Sequence, residues 1–245
     1  MSHPSFMTAL AHLIRTPIKP HGIVVKDILD QYDLTPKQRR QLAELSHVEQ
    51  MEKYGLEQAD DRFEQMLESL WYTRIFISPN DLEDLWFGFE RDAIKVPSDH
   101  IRKRYTLAFL SHIMGSSAVQ GELDERVGPW ALDLLKYEAA EINHFEFVKS
   151  KEKPHLRRHV SPVKLDYDIP QAIRLAEQDQ NKDDLTSVLP ELRPAAYILT
   201  GGDFGPIESH KISSELYELL TEKEENILPT LLPKDTELLT SLKVI

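Results

Sequence analysis

The sequence predicts an α+β protein in two parts, an all-helical N-terminal domain over residues 1–150 and a small three-stranded α+β domain over residues 158–245. Three observations carry this. Apolar residues recur at helical spacing from Pro36 to Ile142, the pattern of helices with one buried face. A polar, basic stretch over 149–159, interrupted by Pro154, then reads as an exposed connector. Beyond it the period changes to two, with Val163, Leu165 and Tyr167 alternating with Lys164 and Asp166, as a half-buried strand requires.

Short helices are expected before residue 35. Thr35-Pro36 then places a capping hydroxyl before a proline at the first helical position, and Gly55 closes that helix after Tyr54. Ser78-Pro79-Asn80-Asp81 repeats the device, with Asp81 suited to the free N–H groups and the dipole. Its helix carries Leu82, Leu85, Trp86 and Phe89. Ser98 opens another, with Ile101, Tyr105, Ala108, Phe109 and His112 along one face up to Gly115, and Pro129 opens the last, Trp130 to Phe147. In the second part, Ala195 to Thr200 and Pro206 to His210 read as a hairpin around the loop Gly201-Gly202-Asp203-Phe204-Gly205. Ser213-Ser214-Glu215 caps a helix holding Leu216, Leu219 and Leu220, and a short helix is expected from Asp235 to Leu242. The order is strand, helix, hairpin, helix, with one helix layer on the sheet and a winged-helix-like arrangement.

Composition narrows the function. The 245 residues carry 29 Lys and Arg against 41 Asp and Glu, a net charge of −12, which argues against a nucleic-acid binder, since phosphate contact needs clustered cations. Zero cysteines exclude disulfides, thiolate metal sites and a Cys nucleophile. No apolar run approaches the roughly 20 residues of a membrane span. Met1-Ser2-His3-Pro4 lacks the features of a signal peptide, so a cytoplasmic location is expected. G-x-G-x-x-G, Walker and G-x-S-x-G loops are all absent.

Three features remain as candidates for chemistry or binding. Glu-x-x-His occurs at Glu44–His47, Glu141–His144 and Glu152–His155. In a helix that spacing puts a carboxylate and an imidazole on one face, as carboxylate-bridged di-iron bundles need. Solvated pairs on a helix surface give the same spacing, and the third match contains Pro154. Arg102-Lys103-Arg104 stands in the first turns of a helix, where cations oppose the dipole. Those three, with Arg157 and Arg158 in the connector, are therefore candidate contacts to an acidic partner surface, or plain solvated side chains. Finally, a three-stranded sheet leaves edge N–H and C=O groups that can take up a peptide strand. Tyr197, Ile198, Leu199 and Ile207, with Leu216 and Leu220 of the following helix, are the candidate peptide-binding residues; core packing accounts for them equally well.

The order of these parts resembles a known family. A helix like Trp130-Ala131-Leu132-Asp133-Leu134-Leu135-Lys136-Tyr137-Glu138, a strand like Val163-Lys164-Leu165, and Tyr197-Ile198-Leu199 leading through a glycine loop to Ile212-Ser213-Ser214-Glu215-Leu216-Tyr217-Glu218-Leu219-Leu220 together look like the partner subunits of TIM-barrel multinuclear non-haem iron oxidases. The resemblance spans about residues 60–230, and is nearer to the partner from 3-thiaglutamate biosynthesis than to that of the methanobactin pathway. It implies a heterodimer in peptide natural-product (RiPP) biosynthesis. In that family the barrel enzyme holds the iron and oxidises a cysteine of a ribosomally made precursor, while the partner binds the precursor's leader and docks it. By this resemblance the chain itself carries no cofactor, no metal and no catalytic residue. Two rivals stand beside it: a stand-alone di-iron bundle oxidase using Glu44, His47, Glu141 and His144, and a non-enzymatic interaction protein.

Overall fold

The computed structural model describes residues 4–15, 25–45, 49–92, 102–150, 160–178, 188–201, 206–221, 230–242 and 244. Among them are twelve helices and one three-stranded antiparallel sheet, so the protein is α+β. The helices are α1 (Pro4–Arg15), α2 (Val25–Leu29), α3 (Pro36–Leu45), α4 (Glu49–Ser69), α5 (Thr73–Phe76), α6 (Pro79–Asp92), α7 (Arg102–Gly115), α8 (Ser117–Arg126) and α9 (Ala131–Ser150). After them come β1 (Ser161–Tyr167), α10 (Ile169–Gln178), β2 (Leu192–Gly201), β3 (Ile207–Ile212), α11 (Ser214–Thr221) and α12 (Pro233–Ser241). The strand, helix, hairpin, helix order read from the sequence is the order found. No described helix is long and apolar enough to cross a membrane.

Two compact units divide the chain, Met1–Ser69 with Pro79–Phe109, and Leu70–Ser78 with Leu110–Ile245. This partition differs from a break at residues 150–158, because α9 packs along β1 and lies in the same unit as the sheet.

In the first unit, Ala9 and Leu13 of α1 meet Ile28, Leu29, Leu34 and Leu42 in one apolar cluster. Thr35 caps α3 as expected: Gln38 N–H donates to Thr35 Oγ1 (3.3 Å) while Thr35 N–H donates to Gln38 Oε1 (2.9 Å), a reciprocal pair that satisfies two otherwise free donors. A second nucleus forms around Trp86, fully buried, whose ring lies 5.3–6.0 Å from those of Phe63, Phe89 and Phe109. Gly55 does not end a helix. It lies inside α4, where its cost of about 1 kcal/mol is outweighed by the helix's buried Met66 and Leu67.

In the second unit β2 is the central strand, pairing with β1 through Val163↔Tyr197 and with β3 through Ile198↔His210. Side chains alternate across the sheet. Ala196, Ile198 and Ile212 face one way and join Val160, Leu216 of α11 and Leu239 of α12 in a buried cluster. Ser161 and Leu199 share the other face, towards α9. Helices therefore cover both faces, which corrects the expectation of a single helix layer; one apolar face could not account for β2 being buried from Ala196 through Gly201.

Gly201 ends β2 with φ +105°, and a Cβ there would lie 2.3 Å from the Pro206 carbonyl oxygen. Both the positive φ and this close approach require glycine. Gly201→Ala is expected to lower the unfolding free energy by about 2–3 kcal/mol, measured by urea titration; a loss under 0.5 kcal/mol would show that the hairpin end is not held this way.

Candidate functional site

The two edges of the sheet are treated differently. On β1, Pro162 removes one donor, and the register slips between Leu165 and Tyr167. The amides released there are taken by α9: Asp133, 3% exposed, accepts from the N–H groups of Asp166 and Tyr167 (2.9 Å for the latter) through Oδ2. Its other oxygen accepts from Lys136 Nζ at 2.8 Å. One edge is thus closed by a proline and a buried carboxylate, two devices that block strand addition. β3 has no such cover among the described residues. Glu208 and Lys211 are exposed, and Ile207, Ser209 and His210 are half-buried.

Beside β3 lies a polar seam on α9. The Ser209 hydroxyl donates to the Tyr137 phenol, which donates to the Glu141 carboxylate. Tyr72 packs on Tyr137 with ring centroids 6.2 Å apart. Glu138, 2% exposed, holds the start of α5: it accepts from the backbone N–H of Tyr72 (2.7 Å) and Thr73 (3.0 Å) and from the Thr73 hydroxyl. That carboxylate does for a one-turn helix what a capping side chain does. Burial pushes Glu138 up to about 7 in spite of its three donors, since desolvation of the charged form outweighs them. Burial, then the charge of Glu138, pushes Glu141 up to about 8. The phenols of Tyr72 and Tyr137 are raised by burial first and by the charge of Glu141 second.

His144 is fully buried at the other end of the seam. Its Nε2 lies 3.1 Å from the Gly201 carbonyl, which can only accept, and its Nδ1 lies 3.1 Å from Ser161 Oγ. In the neutral ring the proton therefore sits on Nε2, and Ser161 donates to Nδ1. Both ring nitrogens are engaged, so His144 does not turn towards Glu141 as a metal ligand. Glu44 is exposed on α3, while His47 and the Glu152–His155 pair fall outside the described residues. No group of three His, Asp or Glu among the described residues could hold a metal ion.

The residues picked from sequence for peptide contact divide sharply. Tyr197 (5% exposed), Ile198, Leu199 and Leu216 (each 0%) are core, so the Tyr197–Thr200 strand offers no edge, and the space between it and α11 is already filled. The Tyr197 phenol donates to Asp168 Oδ1 at 3.1 Å and is pushed up to about 12, by burial first and then by that carboxylate. Leu220 packs part-buried against the cluster of Ile198 and Leu216. Of the six, only Ile207 stands on the open edge. Arg102, Lys103 and Arg104 form the first turn of α7, with side chains outside the described residues, as are Arg157 and Arg158. Asp133, Tyr137, Glu138 and Ser209 were not picked out. The signal was available: polar residues recur at 133, 137, 138, 141 and 144 on the face of α9 that its apolar neighbours bury.

The fold defines the class, a two-unit α+β protein whose sheet, among the described residues, has one protected and one open edge. No protein-family model, no curated protein and no solved structure matches the chain.

Proposed function

We propose that this chain is a non-catalytic partner subunit of a TIM-barrel multinuclear non-haem iron oxidase in the cytoplasm, and that it binds the leader of a ribosomally made precursor peptide and docks it on the iron enzyme. The observation that supports this reading most is the contrast between the two edges. Among the described residues the sheet closes β1 with Pro162 and Asp133, whereas β3 keeps its outer side unpaired and is blunted only by its short length and the exposed charges of Glu208 and Lys211. An added strand obtains backbone hydrogen bonds that any sequence can make, and selectivity from alternate side chains. In this reading the leader becomes the fourth strand, the winged-helix-like sheet domain is the recognition module, and the iron and the oxidation of the peptide cysteine belong to the partner. Arg102, Lys103, Arg104, Arg157 and Arg158 are the proposed contacts to that partner's acidic surface, where exposed charges speed encounter more than they hold the complex.

Proline at Glu208, Ser209 or His210, placed singly, tests the edge. β3 amides alternate between β2 and the open side, so at least one proline removes an outward donor while the sheet stays folded by circular dichroism. That variant is expected to bind a fluorescent synthetic leader at least about tenfold more weakly than the matching alanine variant, about 1.4 kcal/mol. Equal affinity for all folded proline variants would place recognition elsewhere.

A further inference from the structure

The charges along β3 say what an added strand should carry, if the edge reading above holds. Glu208 and Lys211 are both exposed, and the residues opposite them on β2 are Thr200 and Tyr197. The inner strand therefore offers neither a counter-charge. The Glu208 carboxylate, in a side chain 64% exposed, has His210 Nε2 at 3.5 Å, and that same nitrogen lies 3.2 Å from Thr200 Oγ1. Lys211 makes no ion pair among the described residues. Among the described residues no strand pairs with the outer side of β3, so the position directly across from each charge is open to an added strand, where opposite charges attract and like charges repel.

Register turns this into a pattern. Glu208 and Lys211 are three apart and so lie on opposite faces of the sheet. Their complements on the incoming strand must also be three apart. Every pairing in this sheet is antiparallel, and that arrangement is the more stable per residue. A strand running against β3 meets Lys211 first, then His210, Ser209, Glu208 and Ile207. We infer that β3 selects peptides in which an acidic residue precedes a basic residue by three positions, with an apolar residue next, so that the acid faces Lys211, the base Glu208 and the apolar side chain Ile207.

The test uses the full chain and three acetylated nonapeptides of Thr and Val: one with Asp at position 3 and Lys at position 6, one with those two exchanged, and one with Gln at both. Fluorescence anisotropy at low salt is expected to rank Asp/Lys above Gln/Gln by about fivefold, and the exchanged peptide below it by a similar factor. In 1 M salt the three should converge. The double variant E208K/K211E should invert the ranking, and E208Q/K211Q should abolish it while retaining binding, which separates charge matching from damage to the strand. Equal affinity for the three peptides at low salt, or a ranking that the charge reversal leaves unchanged, overturns the inference and leaves the edge reading standing. Binding by none of them overturns both, and a chain that is then dimeric by sedimentation has β3 covered by a second copy.

Discussion

Glu138→Ala is expected to lower the unfolding free energy by about 3 kcal/mol. The carboxylate is 2% exposed and is the acceptor for Tyr72 N–H, Thr73 N–H and the Thr73 hydroxyl. Alanine leaves these donors without a partner in a place where Thr73 itself is 0% exposed, and an unsatisfied buried donor costs roughly 1–3 kcal/mol. The four-residue α5 has no other side-chain cap at its start, so its amides should also lose protection from hydrogen exchange before global unfolding. Glu138→Gln keeps an acceptor oxygen and should cost less than half as much. Urea titration of both variants at pH 6.5 checks the order; an alanine variant within 1 kcal/mol of the parent would mean that water or a shift of residues 70–78 replaces the carboxylate.

The second large effect concerns pH. Glu138 and Glu141 are raised to about 7 and about 8 in the folded protein against 4.5 for a free side chain, so the folded state holds protons that the unfolded chain has released. Their contribution to stability is complete below pH 4.5 and is lost as pH rises through 7 and 8, because ionisation then occurs against burial and against the neighbouring charge. At about 1.4 kcal/mol per pKa unit, and allowing for Glu141's partial exposure, the loss assigned to Glu141 is on the order of 3 kcal/mol between pH 5 and pH 9. Glu141→Gln, which keeps an acceptor oxygen for the Tyr137 phenol, should reduce the slope of the stability profile over that range, leaving the part that belongs to Glu138, and be more stable than the parent at pH 9. The charge of Glu177 from α10 pushes Glu141 in the same direction. Parallel profiles for parent and variant, measured by urea titration at pH 5, 7 and 9, would remove Glu141 from the explanation.

Much of the fold was legible because it rests on local rules. Thr35, Ser213 and the prolines at 36 and 79 mark helix starts through the geometry of free N–H groups and a fixed φ, while α12 begins at Pro233, two residues before the expected Asp235. The alternation of Val163, Leu165 and Tyr167 with Lys164 and Asp166 marks β1 through the period of the pleat. Gly55 misled because a glycine is a stop signal only when tertiary contacts do not continue the helix beyond it, and α4 goes on to bury Met66 and Leu67. The candidate site was legible only in part. Ile207 on β3 was marked, whereas Tyr197, Ile198 and Leu199 have the composition of an exposed apolar edge and of a buried central strand alike.

By itself, then, the sequence determined the α+β class, the order of strands and helices in the second part, and the absence of any cysteine chemistry. Those follow from periodicity, capping and composition, which act over a few residues. The tertiary structure alone decided that β2 is central, that helices lie on both faces, that Asp133 closes β1, and that a buried Glu138 and a part-buried Glu141 stand next to Tyr137 and Ser209. Those depend on which segments far apart in the chain share a desolvated interior, since a carboxylate on a helix is an ordinary solvated group until residues 65 positions away, such as Thr73 for Glu138, take its place in water.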